Sequence, residues 1–379
     1  MATACFHVFS GTGNSLHLAR AVAAVLEARG HRTELREIGA GAAARGGRAG
    51  AAARGGAVTA SAGGGERGPG DLDILVFPVY AMAMPRIVAR YLRGLHAPAG
   101  PAAATAASGA PGARPRAAVL STNGRIGLRF RDGHEGQALA EAERSLARGG
   151  WQVVLRETFD YPQNITSLIP AADEERRDAM VELMRPRIAE VAGELAGMME
   201  DPGGAARGRR RPCSAPIQVI GTLFGWAFRL VGRRAWAMLF AADARCDGCG
   251  LCAARCPARA ISMVAGRPAW SYACEACHRC MDICPREAIQ ASWLRLALMV
   301  TAWAATSSRP VEDLVRGALF FLPPPAAAIL WLVLSVVLGL AVLRLLDLAL
   351  VRLAALGSLR GALAFGWTRR FRRYRPPVD

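Results

Sequence analysis

Residues 4–15 read Ala4-Cys5-Phe6-His7-Val8-Phe9-Ser10-Gly11-Thr12-Gly13-Asn14-Ser15, and they decide the first half of the fold. A short apolar run is a buried strand. It empties into a loop of glycine and hydroxyl residues. Leu16, Ala19, Ala23 and Leu26 follow at helical spacing, and Gly30 stops the helix. In a strand–loop–helix of this composition, backbone N–H groups and side-chain oxygens converge on a phosphate, helped by the helix dipole. The loop is no P-loop, because Gly-Lys-Ser/Thr is missing, and no Rossmann fingerprint, because the third glycine is missing.

Working outward, Thr33–Ile38 is a second strand and Asp73-Ile74-Leu75-Val76-Phe77 a third, the latter apolar throughout as parallel-sheet strands are. A helix carrying Ile87, Val88, Tyr91 and Leu92 follows. Arg116–Ser121 is a strand, Glu135–Arg148 a helix, and Gln152-Val153-Val154-Leu155 closes the pattern. This alternation implies a doubly wound α/β domain with a parallel sheet covered on both faces. Ala/Gly/Arg-rich residues 39–70 and the loose stretch 97–115 read as insertions. Residues 173–200 read as one charged helix and 201–216 as a linker. The apolar run 217–240 is interrupted by Arg229, Arg233 and Arg234, which suits a helix packed on a neighbour or one lying at a membrane surface. The expected divisions are 1–200, a linker and amphipathic helix at 201–240, a cysteine-rich domain at 241–292 and a hydrophobic region at 293–379.

Eight of the ten cysteines fall in one window. Cys246, Cys249, Cys252 and Cys256 are spaced C-x2-C-x2-C-x3-C before Pro257. The pattern repeats as Cys274, Cys277, Cys280 and Cys284 before Pro285. Such spacing lets one looping chain aim three thiolates at three corners of a cubane, with the fourth thiolate sent to the opposite cluster. Cys246, Cys249, Cys252 and Cys284 are assigned to one 4Fe–4S cluster, and Cys274, Cys277, Cys280 and Cys256 to the other. Structural zinc asks instead for pairs of C-x2-C. Two neighbouring clusters form a relay for single electrons. His278, inside the second run, is expected to be a solvated side chain, and no residue in the block reads as a catalytic base.

The net charge is +17, and all 47 basic residues are arginine. No nucleic-acid-binding motif accompanies that charge, so nucleic acid is not expected as a partner. Apolar residues make up 52% of the chain, which excludes a largely disordered protein. The amino terminus lacks a basic n-region and a cleavage site. That predicts a reducing compartment, where dense cysteine means metal rather than disulfides. Cys5 and Cys213 match no cluster spacing. The first is expected to be a buried strand residue and the second a linker thiol.

Ala326–Leu343 is uncharged over 18 residues, or about 27 Å of helix, close to a hydrocarbon core. Pro323, Pro324 and Pro325 set its start. The arginines from Arg344 to Arg375 favour the cytoplasm, yet a single crossing would separate them from the cluster domain. A second crossing from 296 to 321 is one escape, against which Arg309, Glu312, Asp313 and Arg316 argue; the favoured expectation is a re-entrant or interfacial hairpin, with 345–367 on the anionic inner leaflet.

The loop Ser10-Gly11-Thr12-Gly13-Asn14-Ser15 resembles the FMN-phosphate loop of flavodoxins. The likeness extends to Pro78-Val79-Tyr80 and Met84-Pro85, and to Ser121-Thr122-Asn123-Gly124. Joined to the cysteine block, residues 4–290 resemble the prokaryotic flavodoxin–ferredoxin fusions: a flavodoxin-like domain followed by a small α+β dicluster ferredoxin domain. The resemblance implies FMN, with Ser10, Gly11, Thr12, Gly13, Asn14 and Ser15 at its phosphate, Tyr80 against the ring, and Thr122, Asn123 and Gly124 at its other edge. Asn123 departs from the aromatic that relatives commonly carry there, and Arg125–Arg129 is unusually basic. The expectation is an iron–sulfur flavoprotein, an electron-transfer protein or oxidoreductase at the cytoplasmic face of the cell membrane, with a redox protein or a quinone as partner. The alternative is a non-catalytic electron carrier or assembly module whose flavodoxin domain is vestigial.

Overall fold

The computed structural model describes residues 1–39, 71–95, 114–125, 137–201, 215–318, 323–355 and 364–377. The insertion at 39–70 from residue 40 on, nearly all of the stretch 97–115, the basic loop beyond Arg125 and Cys213 lie outside the described residues. The chain divides into two compact units. The first comprises Met1–Arg229 with Cys277–Arg279 and Arg372–Asp379, and the second Leu230–Ala276 with Cys280–Phe371.

The first unit runs β1 (Thr3–Val8), α1 (Asn14–Ala28), β2 (Arg32–Glu37), β3 (Leu72–Pro78), α2 (Arg86–Arg93), β4 (Arg116–Arg125), α3 (Ala138–Arg148), β5 (Gln152–Pro162), α4 (Glu174–Glu182), α5 (Arg185–Glu200) and α6 (Ala215–Ala227). All five strands are parallel, in the order β2-β1-β3-β4-β5. That is the flavodoxin-like doubly wound order, whose switch point falls between β1 and β3.

Alternation along the strands builds two layers. Ala4, Phe6 and Val8 of β1 and Leu72, Ile74 and Val76 of β3 share a core with Leu18, Val22 and Leu26 of α1 and Val191, Leu195 and Met199 of α5. The other strand face carries Cys5, His7, Asp73, Leu75 and Phe77. Every residue of β3 is buried, as a central strand with both faces covered must be. The edge strand β2 alternates charges through Arg32, Glu34 and Arg36, which blunts edge-to-edge pairing.

Between Ala117 and Ala118 the β4–β5 register slips. Ala117 lies opposite Val153 and Ala118 opposite Leu155, leaving Val154 as an extra residue. Both strands run further than the sequence pattern predicts, β4 to Arg125 and β5 to Pro162. The single helix expected at 173–200 is two, because Pro186 occupies the first turn of α5, where its missing N–H is harmless, and cannot sit inside a continuous helix. Helix α6 packs on its own unit: a Cβ on Gly225 would lie 2.8 Å from that of Ala83.

The second unit adds α7 (Arg233–Met238), β6 (Phe240–Ala242), α8 (Leu251–Ala254), β7 (Ile261–Val264), β8 (Arg267–Trp270), α9 (Arg279–Asp282, whose first residue clusters with the first unit), β9 (Ile289–Ala291), α10 (Trp293–Thr306), α11 (Arg309–Ala318) and α12 (Pro324–Ala355). β6 pairs antiparallel with β9, and β7 with β8. The β7–β8 turn places Ala265 (φ 48°) and Gly266 (φ 71°) in the left-handed region, as a two-residue hairpin requires. Phe240, Ile261, Trp270, Met281 and Ile289 form the core with Cys274 and Cys280.

Two of the three arginines that interrupt the apolar run 217–240 are buried anchors. Arg233 Nη1 donates to Tyr272 O at 2.5 Å and Cys274 O at 2.7 Å, and Arg234 Nη1 donates to Trp270 O at 2.9 Å. Packing is thus seen at the carboxyl end of this run, while Val219, Leu223, Phe224 and Trp226 of α6 and Leu230 are exposed.

Helix α12 begins at Pro324, within the proline run, and its 32 residues span about 48 Å. It runs unbroken through Arg344 and on to Ala355, so the chain does not turn at the end of the uncharged stretch. Its companion is α10: a Cβ on Gly339 would lie 2.6 Å from the Trp303 ring. Arg344 caps the Tyr272 ring at 4.4 Å, and Ser292 N donates to Leu239 O at 2.9 Å. The chain therefore leaves the cysteine-rich fold along α10 and returns to it along α12. Ile329, Leu332, Val333 and Val337 of α12 are exposed.

Candidate cluster and phosphate sites

The two cysteine runs share one backbone plan, offset by 28 residues. Gly248 and Ala276 have positive φ (78° and 53°), as do Gly250 and His278 (74° and 62°) and Arg259 and Glu287 (49° and 47°). Cys246 N donates to Asp243 O and Cys274 N to Ser271 O, both at 3.1 Å. Ala260 N donates to Cys256 Sγ at 3.3 Å and Ala288 N to Cys284 Sγ at 3.4 Å. Left-handed residues between ligands curl the chain so that successive sulfurs face inward. The second run achieves the same curl with alanine and histidine where the first uses glycine, a strain of the kind found at functional sites.

Cys246, Cys249, Cys252 and Cys284 line one hollow together with Met263, Pro268 and Ile289. Burial pushes the Cys252 thiol up to about 11, reinforced by Cys246, Cys284 and Cys249. Cys274 is pushed up to about 12, chiefly by burial, while the Ala276 N–H opposes the rise and Cys256 adds to it. Cys284 thus sits with the first three cysteines, and Cys256 beside Cys274. Four soft sulfurs in an apolar hollow, with backbone N–H groups aimed at sulfur, suit an iron–sulfur cubane.

His278 is not solvated. It is 6% exposed, its Nε2 lies 2.6 Å from Ser167 Oγ within the first unit, and burial pulls its pKa down to about 3. The left-handed backbone turns this side chain inward, which spacing alone does not reveal.

In the first unit, the loops that follow β1 and β3 meet the carboxyl end of β4. Gly13 caps α1 with φ 114°; no side chain caps that end, and no acid lies in its first turn. The first-turn N–H groups, which have no partner inside a helix, therefore keep their positive dipole end uncompensated. Ser15 Oγ lies 2.8 Å from Thr122 Oγ1 and ties the start of α1 to the end of β4. Gly11 admits Tyr80, since a Cβ there would lie 2.3 Å from the phenol oxygen and 2.9 Å from Cys277 Cβ. Tyr80 closes a two-residue turn on Ala83 through paired 3.0 Å backbone bonds. Both turn residues, Ala81 and Met82, have positive φ, a cost of order 1–3 kcal/mol each. Phe9 meets the Tyr80 ring edge-on at 6.3 Å.

The hydroxyls expected at a phosphate are engaged within the protein. Ser10 Oγ accepts from Gly13 N at 3.0 Å, and Thr12 Oγ1 accepts from Asn164. Asn14 Nδ2 donates to Pro162 O at 3.1 Å, and its Oδ1 accepts from the Tyr374 hydroxyl. Ser10 and Thr12 act as acceptors in these bonds, so their O–H groups, with the loop's backbone N–H groups other than that of Gly13, are the donors available to an anion. Asn123 and Gly124 pair with Asp160 and Tyr161 of β5. The structure thus gathers all ten candidate residues on neighbouring loops and strand ends. Sequence reasoning missed the tail, in which Tyr374 meets Asn14 and Pro376 lies over Gly13. No local pattern signals a contact across some 360 residues.

Residues 238–285 match the family described as a 4Fe-4S dicluster domain. No curated protein sequence matches the chain. Among solved structures, a flavodoxin from Streptococcus pneumoniae TIGR4 is 16% identical, covering 52% of this chain and 99% of its own, with a TM-score of 0.30. An azoreductase from Bacillus anthracis is 14% identical over 51% of this chain and 100% of its own (TM-score 0.30). General stress protein 14 from Treponema denticola, solved with FMN, is 12% identical over 53% and 98% (TM-score 0.27). The fold class rests on the sheet's own strand order. The protein is an iron–sulfur protein, with two 4Fe–4S clusters as cofactors of its cysteine-rich domain.

Proposed function

We propose that the chain is an iron–sulfur flavoprotein that passes electrons between FMN at the Ser10–Ser15 loop and two 4Fe–4S clusters. The observation that carries this is the uncapped, acid-free start of α1 at the sheet's switch point, in one chain with the dicluster motif. Bound there, a flavin exchanges electrons in pairs or singly, and paired cubanes carry them singly. The Gly11–Ser15 backbone would orient the phosphate. Tyr80, fixed by its strained turn, would flank the ring, and Thr122, Asn123 and Gly124 would border the opposite edge. Cys246, Cys249, Cys252 and Cys284 would hold one cluster, and Cys256, Cys274, Cys277 and Cys280 the other. Buried Arg233 and Arg234, bonded to carbonyls of the second cluster loop, would stabilise the added negative charge on reduction.

Attachment to the cytoplasmic membrane face through the α10–α12 hairpin is part of the proposal. Among the described residues one helix, Pro325–Leu350, is long and apolar enough to cross, and 17% of its most apolar window is buried. Arg344, held on Tyr272, would mark where that helix returns to the cluster domain. A quinone or a membrane-bound redox protein is the partner such an anchor would concentrate.

A second reading has one observation in its favour. Pro376 covers Gly13, and Tyr374 holds Asn14, which suits a flavodoxin-like domain closed by its own tail and serving as a docking module. Anaerobic purification decides between them. About eight irons with about one extractable FMN per chain support the first reading. Full iron with no flavin, before and after reconstitution with FMN, overturns it in favour of the second.

A further inference from the structure

On the sheet face away from the main core, three metal-ligating side chains meet. Cys5 lies directly opposite Asp73 across the β1–β3 ladder, and His7, two residues on, projects to the same side. All three are buried, at 6%, 2% and 3% exposure. Cys5 Sγ, a ring nitrogen of His7 and a carboxylate oxygen of Asp73 lie within 4.8 Å of one another. His7 Nε2 and Asp73 Oδ1 are 3.1 Å apart, near the roughly 3.3 Å between neighbouring donors of a tetrahedral site with bonds of about 2.0–2.1 Å.

The outer contacts are those that orient ligands. His7 Nδ1 lies 2.6 Å from the Tyr91 hydroxyl. Asp73 Oδ2 accepts from Trp151 Nε1 at 2.7 Å. Each first contact thus has its second support, the arrangement that fixes a histidine tautomer and a carboxylate rotamer at a metal. Strand positions such as these are ordinarily apolar, and placing a thiol, an imidazole and a carboxylate together there is costly without compensation.

We propose that Cys5, His7 and Asp73 form a third metal site, separate from the iron–sulfur clusters, that binds one divalent ion of the zinc class. A thiolate excludes magnesium and calcium, and the sulfur–imidazole–carboxylate set suits Zn2+. Charge balances: the Cys5 thiolate and the Asp73 carboxylate carry two negative charges against two positive ones. On binding, the Cys5 thiol releases its proton. His7 presents Nε2 to the ion and donates Nδ1–H to Tyr91. No electron is transferred. The filled site clasps β1 to β3 just before both strands enter the phosphate-site loops.

The test uses full-length, cluster-loaded protein equilibrated anaerobically with Zn2+ and a competing chelator. One zinc per chain is expected beside undiminished cluster iron. The zinc-edge X-ray absorption should show one sulfur near about 2.3 Å with nitrogen and oxygen near about 2.0–2.1 Å. His7→Gln and Asp73→Asn should abolish retention with iron unchanged. Trp151→Phe, which leaves all three donors in place, should weaken zinc by about 10–100-fold. Zinc absent from the wild type, surrounded only by sulfur, or retained in both ligand variants overturns the site and leaves Tyr91–His7–Asp73–Trp151 as a hydrogen-bond network alone.

Discussion

The cluster domain and the phosphate loop are built by opposite strategies. In the cluster domain, ligand geometry is local: a 28-residue unit is used twice, with φ signs, turn bonds and N–H···S contacts repeated position by position. At the phosphate loop, geometry is assembled from afar. Ser15 meets Thr122, Gly11 makes room for Tyr80, and Asn14 meets Tyr374. A locally encoded site should fail one half at a time, and a convergent site should fail as a whole.

The largest effect tests the first half of that statement. Cys249→Ser should remove one cluster and leave the other, halving iron to about four per chain, with one EPR signal surviving in reduced, oxygen-protected protein. Loss of both signals would show that the halves are not independent. Next, Gly11→Val should drive a side chain into Tyr80 and against Cys277 and lower flavin affinity by at least about tenfold, since about 1.4 kcal/mol suffices for that factor, with any loss of iron confined to the second cluster. Fluorescence titration with FMN and iron analysis measure the two separately, and unchanged flavin binding would remove Gly11 from the site.

A subtler test exchanges charge. Arg234 is buried beside Cys274, so Arg234→Met should move the midpoint potential of the second cluster to more negative values and spare the first. A redox titration followed by EPR reads both. The smallest effect concerns His278, whose folded pKa is depressed to about 3 by burial. The unfolded chain binds a proton there below about pH 6.5, and the folded chain does not. The stability associated with neutral His278 is therefore full above pH 6.5 and declines as pH falls towards 3, by at most about 1.4 kcal/mol per pH unit. His278→Asn should flatten the fall of the melting temperature between pH 6.5 and 5; an unaltered slope would mean that other groups dominate.

The same contrast explains what the sequence made legible. Cluster spacing is a short-range code, so the dicluster domain is readable from the x2 and x3 gaps between its cysteines. Strands β1, β3 and β4 are readable because Phe6, Ile74, Val76 and Leu120 belong to dense apolar runs. Pro186 marks the break between α4 and α5, but the charged stretch 173–200 on either side of it reads as one helix. The inward turn of His278 depends on a positive φ at a non-glycine residue, which has no compositional signature. The engagement of Ser10, Thr12 and Ser15 depends on partners at Gly13, Asn164 and Thr122. Two of those three lie more than a hundred residues away, beyond the reach of pattern.

The additional residue at Val154 sets the phase of the rest of β5. Downstream of it, Glu157 reaches Arg187 of α5, Tyr161 reaches His17 of α1 at 2.8 Å, and the Pro162 carbonyl receives Asn14. Deleting that one valine would rotate Leu155, Glu157, Phe159 and Tyr161 to the opposite surface and swing Arg156, Thr158 and Asp160 towards α1 and α5. The loss of a single codon would then scramble the floor beneath the phosphate loop with every cluster cysteine still present in the chain.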